Sequence, residues 1–478
     1  MIDRRHLIAA AAASAGLGLT SRVLAQTPPP APDAVAALDA LRAGKDSAGG
    51  VLVAVRGGRA VATYPWGRAS LPFDVPVTAR TLFHLGSNAK FMTAVAVAQL
   101  VEAGALGLDD PIGRHLPDLP PTMAGVGVAH LLHHTSGLID YPEVLPDWDR
   151  PQTREIVLAA MKDQPVLFQP GESWSYSNTN YLLLGWLIET LSGQSYADYI
   201  RTRVFTPAGA PTARADAAQQ VVPHRAEPYE FDEGAFRHAV RMEDGVSRAA
   251  DGGLLFSALD AAPWRAALDG DRLVPAATMR RLLAPAPLTT GRLAPYGCGV
   301  FLEQTRGAEV RRHTGGVPGF ISNWVTWPEA DLSILALTNS MAPNGPSLTD
   351  MILTLAEALQ PGVSWRDLAP TGDGSDRRSR ALRALLERPE GAPAPDGLLA
   401  PELALRPAAH LRRAPGLTGL APLERWTVGD GPEQGEMARY RVGVASGVRD
   451  LWSAGRPTIA CTGCRVRRAL CDGSATPT

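Results

Sequence analysis

The chain has 478 residues, with a hydrophobic content of 45% and a charged content of 20%. That balance is globular and long enough for two or three domains, which excludes wholesale disorder and fibrous structure. A formal net charge of -2 and a pI near 6.6 supply no global positive field, and nucleic acid is not an expected partner.

The first segment reads as an export signal. Arg4-Arg5 precede an apolar run from Leu7 to Thr20 that is too short for a membrane span, and Val23-Leu24-Ala25 fits a cleavage site. The paired arginines match a twin-arginine signal, so a periplasmic or secreted location without a stable membrane span after cleavage is expected. A Pro-rich tether follows over 26–48. Val51 to Val55, Arg56-Gly57-Gly58 and Ala60 to Tyr64 then read as two strands joined by a glycine turn. From Ser87 to Ala103 apolar residues recur at helical spacing, with Gly104 and Gly107 as stop signals. Tyr181 to Leu191 predicts a second apolar helix that ends at Gly193. Asn323 to Trp327 and Leu332 to Leu337 read as neighbouring strands, and Thr349 to Leu359 as a closing helix. Strands at both ends with helices between them predict one large mixed α/β domain. Beyond residue 360 the composition shifts to a charged helix over Arg377–Arg388 and a Gly-Ala-Pro linker at 391–395. A small C-terminal region over 401–478 contains the strand-like Ala438–Val444.

Three short segments could carry chemistry. Ser87-Asn88-Ala89-Lys90 puts a hydroxyl and an amine one helical turn apart, where an amine of lowered pKa could take the serine proton. Serine at a helix start is commonly only a cap. However, Lys90 is one of three lysines among 46 basic residues and lies in an apolar helix. Tyr176-Ser177-Asn178 could relay a proton and orient a carbonyl, or could equally be a polar loop before a helix. His313-Thr314-Gly315-Gly316 precedes a strand, and its glycines permit close backbone approach to a ligand or simply a turn.

Taken together and in this order, S-x-x-K, Y-x-N and [KH]-T-G resemble the serine β-lactamase and penicillin-binding-protein hydrolases, which include class C β-lactamases, D,D-peptidases, D-aminopeptidases and esterases. His134-Thr135-Ser136-Gly137-Leu138, Tyr181–Gly185 and Asp251–Leu255 support the resemblance, which covers roughly 49–360. It implies an antiparallel sheet flanked by helices and packed on a helical subdomain, with the site between them. It also implies Ser87 as the acylated nucleophile, Lys90 and Tyr176 sharing proton transfer, and Asn178 holding the substrate amide or Lys90. His313, Thr314 and Gly315 would line the substrate, and the Ser87 and Gly316 N–H groups would form an oxyanion hole. No cofactor or metal is implied. Lys90 and His313 are further expected to depress the Tyr176 pKa. His313 stands where many β-lactamases carry a lysine that receives the substrate carboxylate, which weakens the case for a dedicated β-lactamase.

The expected function is an exported serine hydrolase acting on an amide or ester, its substrate a small molecule or peptide of cell-wall type. The alternatives are an esterase without β-lactam or peptide role, a catalytically silent binding protein, or a chain whose C-terminal region is the working part. His130, His133 and His134 lack a completing carboxylate or cysteine and read as structural, not zinc-binding. Cys461, Cys464 and Cys471 make an incomplete zinc set and read as one disulfide with a spare thiol. No G-x-S-x-G elbow occurs.

Overall fold

The computed structural model describes residues 28–387 with short internal breaks, and four strands between 417 and 461. The expected export signal, the 391–395 linker and the expected disulfide and spare thiol among the side chains of Cys461, Cys464 and Cys471 lie outside what is described.

The hairpin read from the sequence forms, with strands Gly49–Arg56 and Arg59–Ser70. It is one side of a seven-stranded sheet in the order Val75–Pro76, Arg59–Ser70, Gly49–Arg56, Leu332–Thr338, Phe320–Trp327, Ala308–Val317, Phe301–Thr305. Every neighbouring pair is antiparallel. The first and last parts of the domain therefore meet at the sheet centre, where Val53 pairs with Leu335. Both central strands are buried almost throughout because both sheet faces are covered.

One face packs on the helices Pro32–Arg42 and Leu348–Leu359 through Leu38, Leu52, Ile334, Met351 and Trp365. The other face packs on a larger helical body that contains Ala89–Glu102, Asn178–Ser192 and Ala258–Leu268. The Asn178–Ser192 helix ends where expected, with Gly193 at φ 66° as its left-handed cap. A separate four-stranded antiparallel sheet, Leu417–Val428, Gly435–Val444, Gly447–Ala454 and Thr458–Cys461, forms the C-terminal module.

One local expectation is corrected. Residues 32–42, assigned to the Pro-rich tether, form a helix with Ala34 and Leu38 buried. A proline at the first helical position is compatible with that geometry, and the apolar spacing gives the helix a face to bury. The Ala89–Glu102 helix has a continuously buried run from Ala89 to Ala98. It is therefore a core helix without a broad solvent face, and its lysine is enclosed.

Candidate active site

Ser87 lies in a single 3-10 turn, Gly86–Asn88, that leads directly into the buried helix. It makes no cap: no side-chain cap bond forms at the start of either element. The turn is held by the strand beside it. A Cβ on Gly315 would come within 1.9 Å of the Leu85 carbonyl oxygen, and one on Gly86 within 2.6 Å of the Gly316 nitrogen. Gly86 also has a φ of +52°. Glycine at both positions thus lets the Ala308–Val317 strand press against the serine turn and brings the Gly316 nitrogen against Gly86. Asn88 donates to Ser322 Oγ at 2.7 Å, and Ser322 in turn donates to the Leu85 carbonyl at 2.5 Å, which locks the same junction from below.

Lys90 is fully buried. Its ammonium donates to Ser87 Oγ at 3.0 Å, to Asn178 Oδ1 at 2.7 Å and to the Asp251 carbonyl at 2.7 Å. Burial brings its pKa down to about 8, partly opposed by the negative charges of Asp251 and Asp140. Its direct partners are thus neutral oxygens. Asp140 acts through Asn178, accepting from its backbone N–H at 2.6 Å and from its side-chain amide at 3.1 Å. Both ends of the Asn178 amide are engaged by the protein. Of its two expected roles, the geometry shows the hold on Lys90.

The Tyr176 ring lies 5.0 Å from the Lys90 nitrogen. Burial pushes its pKa well above that of a free phenol, although contact with Ser87 pulls the other way, and Asp140 and Asp251 push it further up. The expected depression by Lys90 and His313 does not occur, because the loss of hydration in this enclosed position outweighs any nearby cation. Tyr176 is a protonated phenol.

His313 departs from the cation expected at the third motif. Its Nδ1 donates to the Thr314 carbonyl at 2.6 Å, which leaves Nε2 to accept from the Tyr296 hydroxyl at 2.9 Å. Burial and the nearby Lys90 lower its pKa to about 3, so it is a neutral imidazole with both nitrogens occupied. It sits in the wall of the site, while Gly316 is the exposed position of that strand.

Sequence reasoning did not assign roles to Asp140 or His134. His134 adopts a left-handed backbone, φ 59°, and its ring lies 4.3 Å from that of Tyr176. The Ser177 N–H donates to His134 Nδ1 at 3.2 Å, and the Asn180 amide donates to the same nitrogen at 3.0 Å. Burial and the nearby Lys90 keep this imidazole neutral too. No group of three or more metal-ligating side chains occurs among the described residues. A cavity of about 610 Å³, lined by Asn88, Phe91, Trp264, Met279, Arg311 and Trp324, lies behind the serine turn, and Ser87, Lys90, Tyr176 and Asn178 do not line it.

The sheet, the helical body and this constellation are those of the serine hydrolases in which a lysine contacts the serine. The chain belongs to the beta-lactamase family, whose profile matches residues 34–358. It is 31% identical over 309 residues to a penicillin-binding protein of Bacillus subtilis (strain 168), a match covering 61% of this chain and 68% of the relative. It is 30% identical over 313 residues to a D-aminopeptidase of Gluconobacter oxydans (strain 621H), covering 64% of this chain and 58% of that relative. The chain thus spans less than two thirds of the D-aminopeptidase. Among solved structures, D-amino acid amidase from Ochrobactrum anthropi SV3, complexed with D-phenylalanine, superposes with a TM-score of 0.59 at 25% identity. That match covers 68% of this chain and 98% of the amidase. No described helix is long and apolar enough to cross a membrane.

Proposed function

We propose that the protein is an exported serine hydrolase that cleaves an amide bond of a D-amino acid derivative or short peptide through an acyl-enzyme on Ser87. The observation that carries this reading is the Lys90 nitrogen 3.0 Å from Ser87 Oγ, in surroundings that bring its pKa to about 8. At pH 7 about one molecule in ten then carries a neutral amine at this position. That amine takes the Ser87 proton as Oγ bonds to the substrate carbonyl carbon. The tetrahedral oxyanion is received by the N–H groups of Ser87 and Gly316, a reading supported by the close approach of the Gly316 nitrogen to Gly86.

Tyr176 acts as a donor, because its phenol is protonated. It passes a proton to the departing nitrogen as the C–N bond breaks, and is itself reprotonated from Lys90. Water then adds to the ester carbonyl as Lys90 takes its proton, and the C–Oγ bond breaks as Lys90 returns that proton to Ser87 Oγ and the acid leaves. Asn178 holds Lys90 on Ser87, Thr314 and Gly315 shape the substrate edge, and His313 fixes the strand behind it. The neutral His313 offers no charge to a free carboxylate, which favours an amide or peptide over a β-lactam. The D-configuration rests on the D-aminopeptidase and D-amino acid amidase relatives. The expected location, periplasmic or secreted, rests on the Arg4-Arg5 signal.

The test compares wild type with Ser87→Ala by intact mass after a fluorophosphonate and, separately, a fluorescent penicillin, alongside turnover of D- and L-amino acid anilides. A Ser87-dependent fluorophosphonate adduct with D-selective turnover supports the reading. Equal labelling of Ser87→Ala, or selectivity for the L-anilides, overturns it.

A further inference from the structure

Burying an arginine is costly unless its guanidinium is paired, and burying three charges together needs a geometric reason. Glu303, Arg312 and Arg439 are 2%, 3% and 2% exposed. Glu303 lies on the edge strand Phe301–Thr305, Arg312 on the adjacent strand Ala308–Val317, and Arg439 on Gly435–Val444 of the C-terminal module. One Glu303 oxygen accepts from Arg312 Nε, and the other accepts from Arg439 Nη2 at 2.9 Å. The Trp365 indole, itself 1% exposed, lies under both guanidiniums, 4.2 Å from that of Arg439 and 6.0 Å from that of Arg312.

The hydrolase sheet therefore presents a notch shaped for one guanidinium, a carboxylate oxygen beside an aromatic face, and the C-terminal module fills it. Arg312 is the residue immediately before His313. The strand that carries His313, Thr314, Gly315 and Gly316 is thus fixed at two points. Its upper end is fixed by the close contact of Gly315 with Leu85, and its lower end by a carboxylate shared with the C-terminal module.

We propose that the C-terminal module is an intramolecular clamp, with Arg439 inserted between Glu303 and Trp365 as a positioning residue that sets the strand bearing the Gly316 N–H. Its catalytic consequence rests on the Ser87 reading above; its docking does not. Without the Arg439 guanidinium, one Glu303 oxygen loses its buried partner, the Arg312 contact relaxes, and the strand shifts relative to the serine turn.

The test uses the full chain with Arg439→Met, Glu303→Gln and the double variant, together with Arg439→Lys in case the methionine variant fails to fold. Two readouts are taken at a temperature where circular dichroism shows each protein folded. One is the second-order rate of fluorophosphonate labelling at Ser87, and the other is hydrogen exchange over 308–317 and 417–461. Arg439→Met should slow labelling by about tenfold and Glu303→Gln, which also takes the carboxylate from Arg312, by at least as much; both should speed exchange in both regions, and the double variant should be no slower than Glu303→Gln, because the Arg439 contact is already lost there. Arg439→Lys keeps the charge but loses the planar fork, and should fall between wild type and Arg439→Met. Wild-type labelling and exchange in Arg439→Met, or in Arg439→Lys where only that variant folds, would overturn the proposal, as would single effects that multiply. If wild type itself does not label, the Ser87 reading fails while the exchange data still decide the docking.

Discussion

Lys90 and Arg312 are both buried in this domain, and their surroundings make them opposites. Lys90 donates only to neutral oxygens, with its carboxylates one contact removed. Arg312 rests directly on the Glu303 carboxylate. The first arrangement leaves desolvation dominant, so the cation gives up its proton more readily, as the proposed role of a base requires. The second pairs the charge and holds it, so that the residue fixes a strand. A carboxylate touching Lys90 would abolish the chemistry, and its absence at Arg312 would leave an unpaired buried charge. The distance of the nearest carboxylate therefore separates the reacting cation from the structural one.

The comparison breaks most sharply at the reacting end. Ser87→Ala should lower hydrolysis on the order of 10⁴-fold or more, and Lys90→Met about 10³-fold, with folding retained in thermal melts. Glu303→Gln acts on the other cation. It should lower the unfolding free energy by about 3 kcal/mol in denaturant titration, yet leave the pH limb of the rate near 8, since Lys90 is untouched. Asp140→Asn removes one of the charges that raise the Lys90 pKa, so the limb should move to lower pH. A limb moving upward would contradict the assignment. Lys90 also links stability to pH. Its folded pKa, about 8, lies below its unfolded value, so the unfolded chain binds more protons between about pH 8 and 10.5. Its contribution to stability should therefore rise with pH across that window, in wild type and not in Lys90→Met. The smallest effect is expected for Tyr296→Phe, which removes the hydroxyl on His313 Nε2 and should cost about 1 kcal/mol of stability, with only a few-fold loss of rate.

Much of this contrast was legible in the sequence on one side only. Ser87, Lys90, Tyr176, Asn178 and His313 stand in three compact motifs, and the helices that follow Ser87 and Asn178 come from apolar periodicity and glycine stops, whereas the Ala308–Val317 strand that carries His313 was read only as a segment before a strand. The near-neutral lysine followed from its place in an apolar helix. What could not be read was what surrounds it. Asp140, His134 and the Asp251 carbonyl reach Lys90 or Tyr176 from separate loops, and no spacing relates those loops to Ser87. His134 stood among three histidines whose pattern pointed only to a structural part. The neutral state of His313 depends on burial and on the nearby Lys90, neither of which its spacing shows. Tyr176 was misjudged because adjacent cations are visible in a sequence and dehydration is not. Arg439 was unreadable for the same reason: its partner Glu303 lies 136 positions earlier, on a different sheet. The Pro32–Arg42 helix was missed because its prolines outweighed the apolar spacing of Ala34 and Leu38.

The most direct test of the central claim is the pH dependence of Ser87 acylation by a fluorophosphonate, followed by intact mass from pH 6 to pH 10. An amine brought to about 8 by burial predicts a rate that rises with pH through a single limb near 8 and then levels, a limb missing from Lys90→Met. A rate flat across that range, or a limb that survives in Lys90→Met, would contradict it.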